Sequence, residues 1–235
     1  MLTRDELKLF NLQILQPRHG YRYSLDPLLL ARFCGLVPPG GTVIDLGAGC
    51  GIISLVLARL NATASVVALE NNLEMVALIE QNIHANDLAG QVTSLTADVM
   101  AYRAVSPDSS FDLVVSNPPF RTPVSGRISP RAGRDAARHE TTAGLVDFLT
   151  AAKYLVKPSG KICIIQLPAR LVELTSMAAA MKLSILRLRM IHNNQVSPAT
   201  IFMAELAKGR RTAPIVEAPL FVRDMQGEYT AEVWR

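Results

Sequence analysis

The chain has 235 residues, of which 49% are hydrophobic and 19% charged. That balance fits an ordered domain with a sizeable core and excludes a disordered chain. Aromatic residues reach only 6%, and mean hydropathy is +0.23. No apolar run approaches the roughly 20 residues of a membrane span, so no membrane partner is expected. The charged start MLTRDELKLF has no apolar h-region, so no secretory signal is expected either. Cys34, Cys50 and Cys163 are odd in number and lack CxxC spacing, which argues against a disulfide framework and a cysteine zinc site. Reduced thiols in a cytoplasmic protein are the expectation. Formal net charge is +4, unevenly spread. Residues 36–116 hold two Lys or Arg against eight Asp or Glu, and residues 117–235 hold seventeen against nine. A polyanion meeting the second half, or a solvated surface with no partner, both fit that pattern.

Residues 1–40 read as an N-terminal segment. In GYRYSLDPLLLARFCG, Asp26-Pro27 predicts a helix start with Asp26 as N-cap. A core over 41–207 follows. Thr42–Leu46 is a predicted strand, Gly51–Leu60 a helix, Ser65–Leu69 a strand and Leu73–Asn86 a helix. Val92–Thr96 and Phe111–Ser116 are predicted strands. Leu145–Val156 is a predicted helix, Lys161–Gln166 a strand and Ala169–Met181 a helix. Ser184–Met190 and Thr200–Leu206 complete the set as strands. This βα alternation predicts an α/β fold with a mostly parallel sheet covered by helices on both faces. Ligand sites in such sheets lie at the carboxyl ends of the strands. Residues 208–235 read as an extended tail, and the whole as a single domain.

The motifs fall at strand ends. VIDLGAGCG (Val43–Gly51) runs an apolar strand through Asp45 into Gly47, Ala48, Gly49 and Gly51. Such a turn lets the backbone approach a ligand closely. The dinucleotide fingerprint GxGxxG needs a small residue where Ile52 stands. The spacing GxGxG behind an acid instead resembles motif I of class I S-adenosylmethionine-dependent methyltransferases. Glu70 ends the second strand, 19 residues after Gly51, where a carboxylate can accept from ribose hydroxyls of an adenosyl or an NAD cofactor. Asp98 follows the third strand; it either caps the next turn or, by the resemblance, reaches the cofactor's adenine amine.

Asn117, Pro118, Pro119 and Phe120 form NPPF directly after the fourth strand. Adenine N6 is a poor nucleophile because its lone pair is delocalised into the ring. Acceptors for its hydrogens turn that pair outward. The Asn117 side-chain oxygen and the Pro118 carbonyl can supply two, and proline rigidity holds the carbonyl in place. Phe120 offers a ring on which a base can stack, worth roughly 1–3 kcal/mol. The motif resembles the NPPY/F of methyltransferases that act on adenine N6, cytosine N4, guanine N2 and glutamine. In the segment RTPVSGRISPRAGRDAARHE that follows, Arg121, Arg127, Arg131, Arg134 and Arg138 oppose only Asp135 and Glu140. It reads as a long loop, either solvated or gripping an RNA backbone. His139 and Glu140 read as packing or capping residues. His19, His84 and His192 show no metal-ligand spacing, so no metal is expected.

GYRYSLDPLLLARF, DLGAGCG, NPPF, AARHE and the terminal GEYTAEV recur in this order in the bacterial tRNA adenine-N6 methyltransferases that modify the adenine beside the anticodon of a valine tRNA. The chain resembles that family over nearly its whole length, with NPPF in place of the commoner NPPY. The resemblance implies a seven-stranded class I fold with an antiparallel final strand, S-adenosyl-L-methionine as cofactor and tRNA as partner. It implies that the N-terminal segment 1–40 covers the cofactor, with a cofactor site of Tyr23, Ser24, Asp26, Asp45, Gly47, Ala48, Gly49, Gly51, Glu70, Asn71, Asp98, Val99 and Asn117. It implies Asn117, Pro118, Pro119 and Phe120 at the methyl-transfer centre, and the five loop arginines on RNA. Two other readings stand beside it: a glutamine N5-methyltransferase acting on a release factor, and a non-catalytic RNA-binding module on the same fold.

Overall fold

A computed structural model describes residues 2–18, 24–120, 143–209 and 212–234. The chain opens on a hairpin inside the segment 1–40, where the sequence predicts no strand. In it β1 (Leu2–Leu7) pairs antiparallel with β2 (Leu12–Pro17), and Asn11 takes the left-handed turn position at φ 49°. Next comes α1 (Asp26–Cys34), with Asp26 already inside the helix and Leu25 at the cap position. The predicted N-cap role of Asp26 is therefore corrected by one residue. Its N–H instead donates to Ser24 Oγ at 3.3 Å. Helical backbone at Leu25 (φ −68°, ψ −24°) is what shifts the boundary.

The core alternates β3 (Thr42–Leu46), α2 (Ile52–Leu60), β4 (Ser65–Glu70), α3 (Leu73–Ala85), β5 (Val92–Thr96), the short α4 (Tyr102–Val105) and β6 (Phe111–Ser116). Then come α5 (Leu145–Leu155), β7 (Val156–Gln166), α6 (Leu171–Ala180), β8 (Leu183–His192) and β9 (Ala199–Lys208). The predicted strand Lys161–Gln166 gains five residues at its start. Gly160 permits this, because a Cβ there would lie 2.8 Å from the Asp112 carbonyl oxygen on the neighbouring strand. A 3-10 turn at Pro168–Arg170 replaces the start of the predicted helix Ala169–Met181.

Sheet order is β5-β4-β3-β6-β7-β9-β8, parallel except for β9, which runs antiparallel to β7 and β8. These are the seven strands the resemblance implies. The tail adds β10 (Ile215–Val216) and β11 (Leu220–Phe221), both parallel to β8. Its end is tied back by Arg32 to the Val233 carbonyl and by Arg189 to Glu232. Two apolar layers flank the sheet. One holds α1, α2, α3 and the hairpin; the other holds α5 and α6.

The hairpin is anchored to α3 by two asparagines that act as a surrogate strand. Asn82 Oδ1 accepts from Leu15 N at 2.7 Å, and its Nδ2 donates to the Leu15 and Cys50 carbonyls. Asn86 repeats the pattern on Gln13, accepting at 2.7 Å and donating at 2.7 Å. Asn82 is fully buried. Asn82→Leu strips partners from both backbone groups of Leu15, and each unpaired group costs about 1–3 kcal/mol. Urea unfolding should therefore show a loss of about 3 kcal/mol, with faster amide exchange across β1 and β2.

Candidate active site

Strand order reverses around β3. The chain runs from β3 out to β5 on one side, then returns to β6 on the other. The crevice outside the carboxyl ends of β3 and β6 is where such sheets take ligands. Both main motifs meet there. Ser116 Oγ donates to the Leu46 carbonyl at 2.8 Å, which joins the last residue before NPPF to the last residue before the glycine turn.

The glycine turn has no regular partner strand, so its N–H groups need acceptors. Gly47 N and Ala48 N both donate to the Leu69 carbonyl at 2.9 Å. Gly49 N donates to Glu70 Oε2 at 2.9 Å, while Asn71 N and Asn72 N donate to Glu70 Oε1 at 3.0 Å. Three of the roughly four acceptor positions of that carboxylate are thus filled by backbone. Gly47, Gly49 and Gly51 all lie at positive φ, at 74°, 57° and 83°. A Cβ added at Gly49 would meet nothing within 4 Å, so the turn borders open space.

Asp45 lies beneath the turn, fully buried. Its Oδ2 accepts from Ser54 Oγ at 2.8 Å, and its Oδ1 has no partner. Burial pushes the carboxyl up to about 7; the Ser54 hydrogen bond opposes the shift and the Glu70 charge adds to it. A buried carboxyl with a spare oxygen, titrating near neutrality, favours a cationic ligand. S-adenosylmethionine carries a sulfonium and an ammonium, so the donor set fits it.

Asp98 caps the turn Val99–Ala101, accepting from Met100 N at 2.8 Å. It stands beside Glu70 because Ala97 N donates to the Glu70 carbonyl at 3.1 Å. Val99 is buried in the apolar layer around α5. Asn71 is exposed and joins through its backbone alone. Ser24 and Asp26 sit at the start of α1, where burial raises the Asp26 carboxyl pKa. Tyr23, the histidines His19 and His139, Glu140 and all of Arg121, Arg127, Arg131, Arg134 and Arg138 lie outside the described residues.

Of NPPF, Pro118 is buried and Pro119 exposed; Asn117 and Phe120 are half-buried. Part of the Phe120 ring packs against the apolar layer around α1 and α2. Among the described residues the Asn117 side chain has no hydrogen-bond partner. The Pro118 carbonyl accepts from Gln166 Nε2 at 3.4 Å. Also among the described residues, no group of three His, Cys, Asp or Glu could hold a metal, and no helix is long and apolar enough to cross a membrane.

Residues 27–170 match the family model of the methyltransferase small domain, which is more than half of the chain. The chain belongs to the methyltransferase small domain family. It is 30% identical over 167 residues to a tRNA1(Val) (adenine(37)-N6)-methyltransferase of Shewanella halifaxensis, covering 71% of this chain and 65% of that protein. It is 26% identical over 220 residues to the protein of the same name from Tolumonas auensis, covering 92% of this chain and 88% of that one. The chain thus spans just under two thirds of the first relative's length. A predicted O-methyltransferase from Agrobacterium tumefaciens shares the fold, with a TM-score of 0.70 at 22% identity over 88% of this chain and 92% of that chain.

Three residues of this methyltransferase small domain escaped the sequence reading: Ser54, Ser116 and Gln166. Ser54 is the lone hydroxyl in the apolar helix IISLVLARL, which is a usable signal. Ser116 and Gln166 end apolar strands, and only cross-sheet neighbours give them a role.

The Asp45 carboxyl makes a pH prediction. Its folded value of about 7 exceeds the ordinary 3.8, so the folded chain holds this proton more tightly than the unfolded chain. That contribution is full below about pH 4 and is lost as pH rises through 7. Urea unfolding of the cofactor-free protein should show stability falling across this window. Asp45→Asn should remove that component; an unchanged pH profile in the variant would assign the titration elsewhere.

Proposed function

We propose that this chain is an S-adenosylmethionine-dependent methyltransferase that methylates N6 of an adenine in tRNA, beside the anticodon of a valine tRNA. The proposed setting is the cytoplasm. The observation that carries the reading is the NPPF turn at the strand-order reversal, bonded through Ser116 to the strand that delivers the glycine turn. Names of the relatives from Shewanella halifaxensis and Tolumonas auensis agree with it.

When bound, the cofactor supplies an electrophilic methyl on a sulfonium. The glycine turn offers a backbone surface with room beside Gly49. Glu70 holds that turn and has one acceptor position left for a ribose hydroxyl. Asp98 keeps one carboxylate oxygen outside its capping bond for the adenine amine. Asp45 places negative charge beneath the turn, and a cation above it favours the ionised form. By the family resemblance, Tyr23, Ser24 and Asp26 are assigned to the methionine end of the cofactor.

The target base leaves the anticodon loop at small cost, because loop bases are already partly unstacked. It stacks on the free part of Phe120. Asn117 Oδ1 and the Pro118 carbonyl accept the two amine hydrogens, which turns the nitrogen lone pair toward the methyl. These bonds strengthen as the nitrogen gains positive charge, so they act on the transition state more than on binding. Alignment supplies much of the remainder. The product amine then releases its proton to solvent.

RNA contact is proposed for the arginines of 121–138 because five of them fall within this one segment of the sequence. Among the described residues, several other cations of the second half are committed internally. Arg170 pairs with Glu173 and Arg187 with Glu205 and Glu217, each at 2.8 Å. Lys157 pairs with Asp112 at 2.8 Å. Lys161 and Lys208 each donate to a backbone carbonyl at 2.5 Å.

Asn117→Ala should slow single-turnover methyl transfer by about 10²–10³ while cofactor affinity stays within twofold to threefold of wild type, by analogy with loss of one aligned oxyanion donor. Near-normal turnover would reduce NPPF to a structural turn. Replacing Arg127, Arg131 and Arg134 by Ala together should weaken tRNA binding and flatten its salt dependence by about one unit of slope per lost phosphate contact. Cofactor affinity measured by calorimetry should not change.

A further inference from the structure

Among the described residues only two buried side-chain atoms lack a hydrogen-bond partner, Asp45 Oδ1 and Gln166 Oε1. Buried polar atoms are nearly always paired, so each orphan calls for a cause. Asp45 belongs to the cofactor side of the crevice. Gln166 lies on the NPPF side. It ends β7, fully buried, between the NPPF strand β6 and the antiparallel strand β9, where it pairs with Phe202. Its other amide atom, Nε2, donates to the Pro118 carbonyl at 3.4 Å.

We infer that Gln166 is a positioning residue for the amine-orienting turn: it fixes the Pro118 carbonyl so that one lone pair remains for the substrate amine. This inference rests on the methyltransferase reading above. Pro118 and Pro119 each fix φ and bring no N–H. The rotation ψ of Pro118, which aims its carbonyl, is confined to a broad extended well by the following proline but not fixed within it. Among the described residues no backbone N–H donates to that oxygen. The Gln166 amide does so from the neighbouring strand. A carbonyl oxygen has two acceptor positions. Gln166 takes one, and the other is presented to the crevice.

The orphan follows from the same constraint. Turning the amide over would set Gln166 Oε1 against the Pro118 oxygen, two acceptors face to face. The orientation that serves Pro118 therefore leaves Oε1 unpaired in the core. A leucine or methionine would fill this site without an orphan atom, so packing alone does not account for an amide here.

Three chains test the inference: wild type, Gln166→Leu and Gln166→Glu. Each is assayed in single turnover with saturating S-adenosylmethionine and a valine tRNA transcript, with cofactor and RNA Kd and Tm measured alongside. Gln166→Leu should transfer methyl roughly 10- to 100-fold more slowly, with both Kd values within about twofold of wild type. Its Tm should not fall, since it removes an unpaired buried acceptor. Gln166→Glu restores a donor only when protonated, so its rate relative to wild type should rise as pH falls. A purely structural role moves Tm and leaves that ratio flat. A wild-type rate in Gln166→Leu, or a flat ratio in Gln166→Glu, overturns the inference while the methyltransferase reading stands. A wild-type protein that leaves the tRNA unmethylated overturns that reading, and the inference falls with it.

Discussion

The site is organised by one carboxylate collecting backbone N–H groups. Glu70 accepts from Gly49 on the turn after β3 and from Asn71 and Asn72 on the turn after β4. With the paired bonds from Gly47 and Ala48 to the Leu69 carbonyl, it locks two neighbouring strand ends into one surface. Ionised carboxylates make stronger bonds to backbone donors than neutral acceptors do, so this clamp is stiff. The path of the glycine turn over Asp45 follows from it, while Asp98 is seated by the Ala97 N–H on the Glu70 main-chain carbonyl. Any role of Glu70 toward a ligand is therefore added to a structural one.

The second half of the crevice is tied to the first by the parallel β3–β6 ladder, closed at its carboxyl end by the Ser116 hydroxyl on the Leu46 carbonyl. This bond sets NPPF against the glycine turn across adjacent parallel strands. The two halves differ in how they resist deformation. Motif I is held by charge-assisted bonds, whereas NPPF is held by proline geometry, burial of Pro118 and the long bond from Gln166. Both halves keep a polar group in reserve: Oδ1 of Asp45 and the Asn117 side chain, which has no hydrogen-bond partner among the described residues. Such groups are tolerated in a folded protein where a ligand completes them.

Much of this was legible in the sequence because the signals are local. DLGAGCG and NPPF carry their geometry in consecutive residues, and the core strands announce themselves by apolar runs between helices. What escaped depends on distant neighbours. The hairpin β1–β2 was hidden because Gln16 interrupts the inward apolar row of Leu12 and Ile14, and because its partner is a pair of asparagines on α3. The tail strands are two residues each and exist only against the edge of β8. Gln166 gives no signal until β6 lies alongside. Charge misled in part: the second half is basic by count, yet several of its cations among the described residues are paired inside the fold.

The central claim is the identity of the methyl acceptor. Purified protein, S-adenosylmethionine and an in vitro transcribed valine tRNA should be incubated together, with a release factor in a parallel reaction, and both products analysed by mass spectrometry of nucleosides and peptides. The account predicts N6-methyladenosine in the tRNA, placed beside the anticodon, and an unmodified release factor. Methylglutamine in the release factor with unmodified tRNA would contradict it.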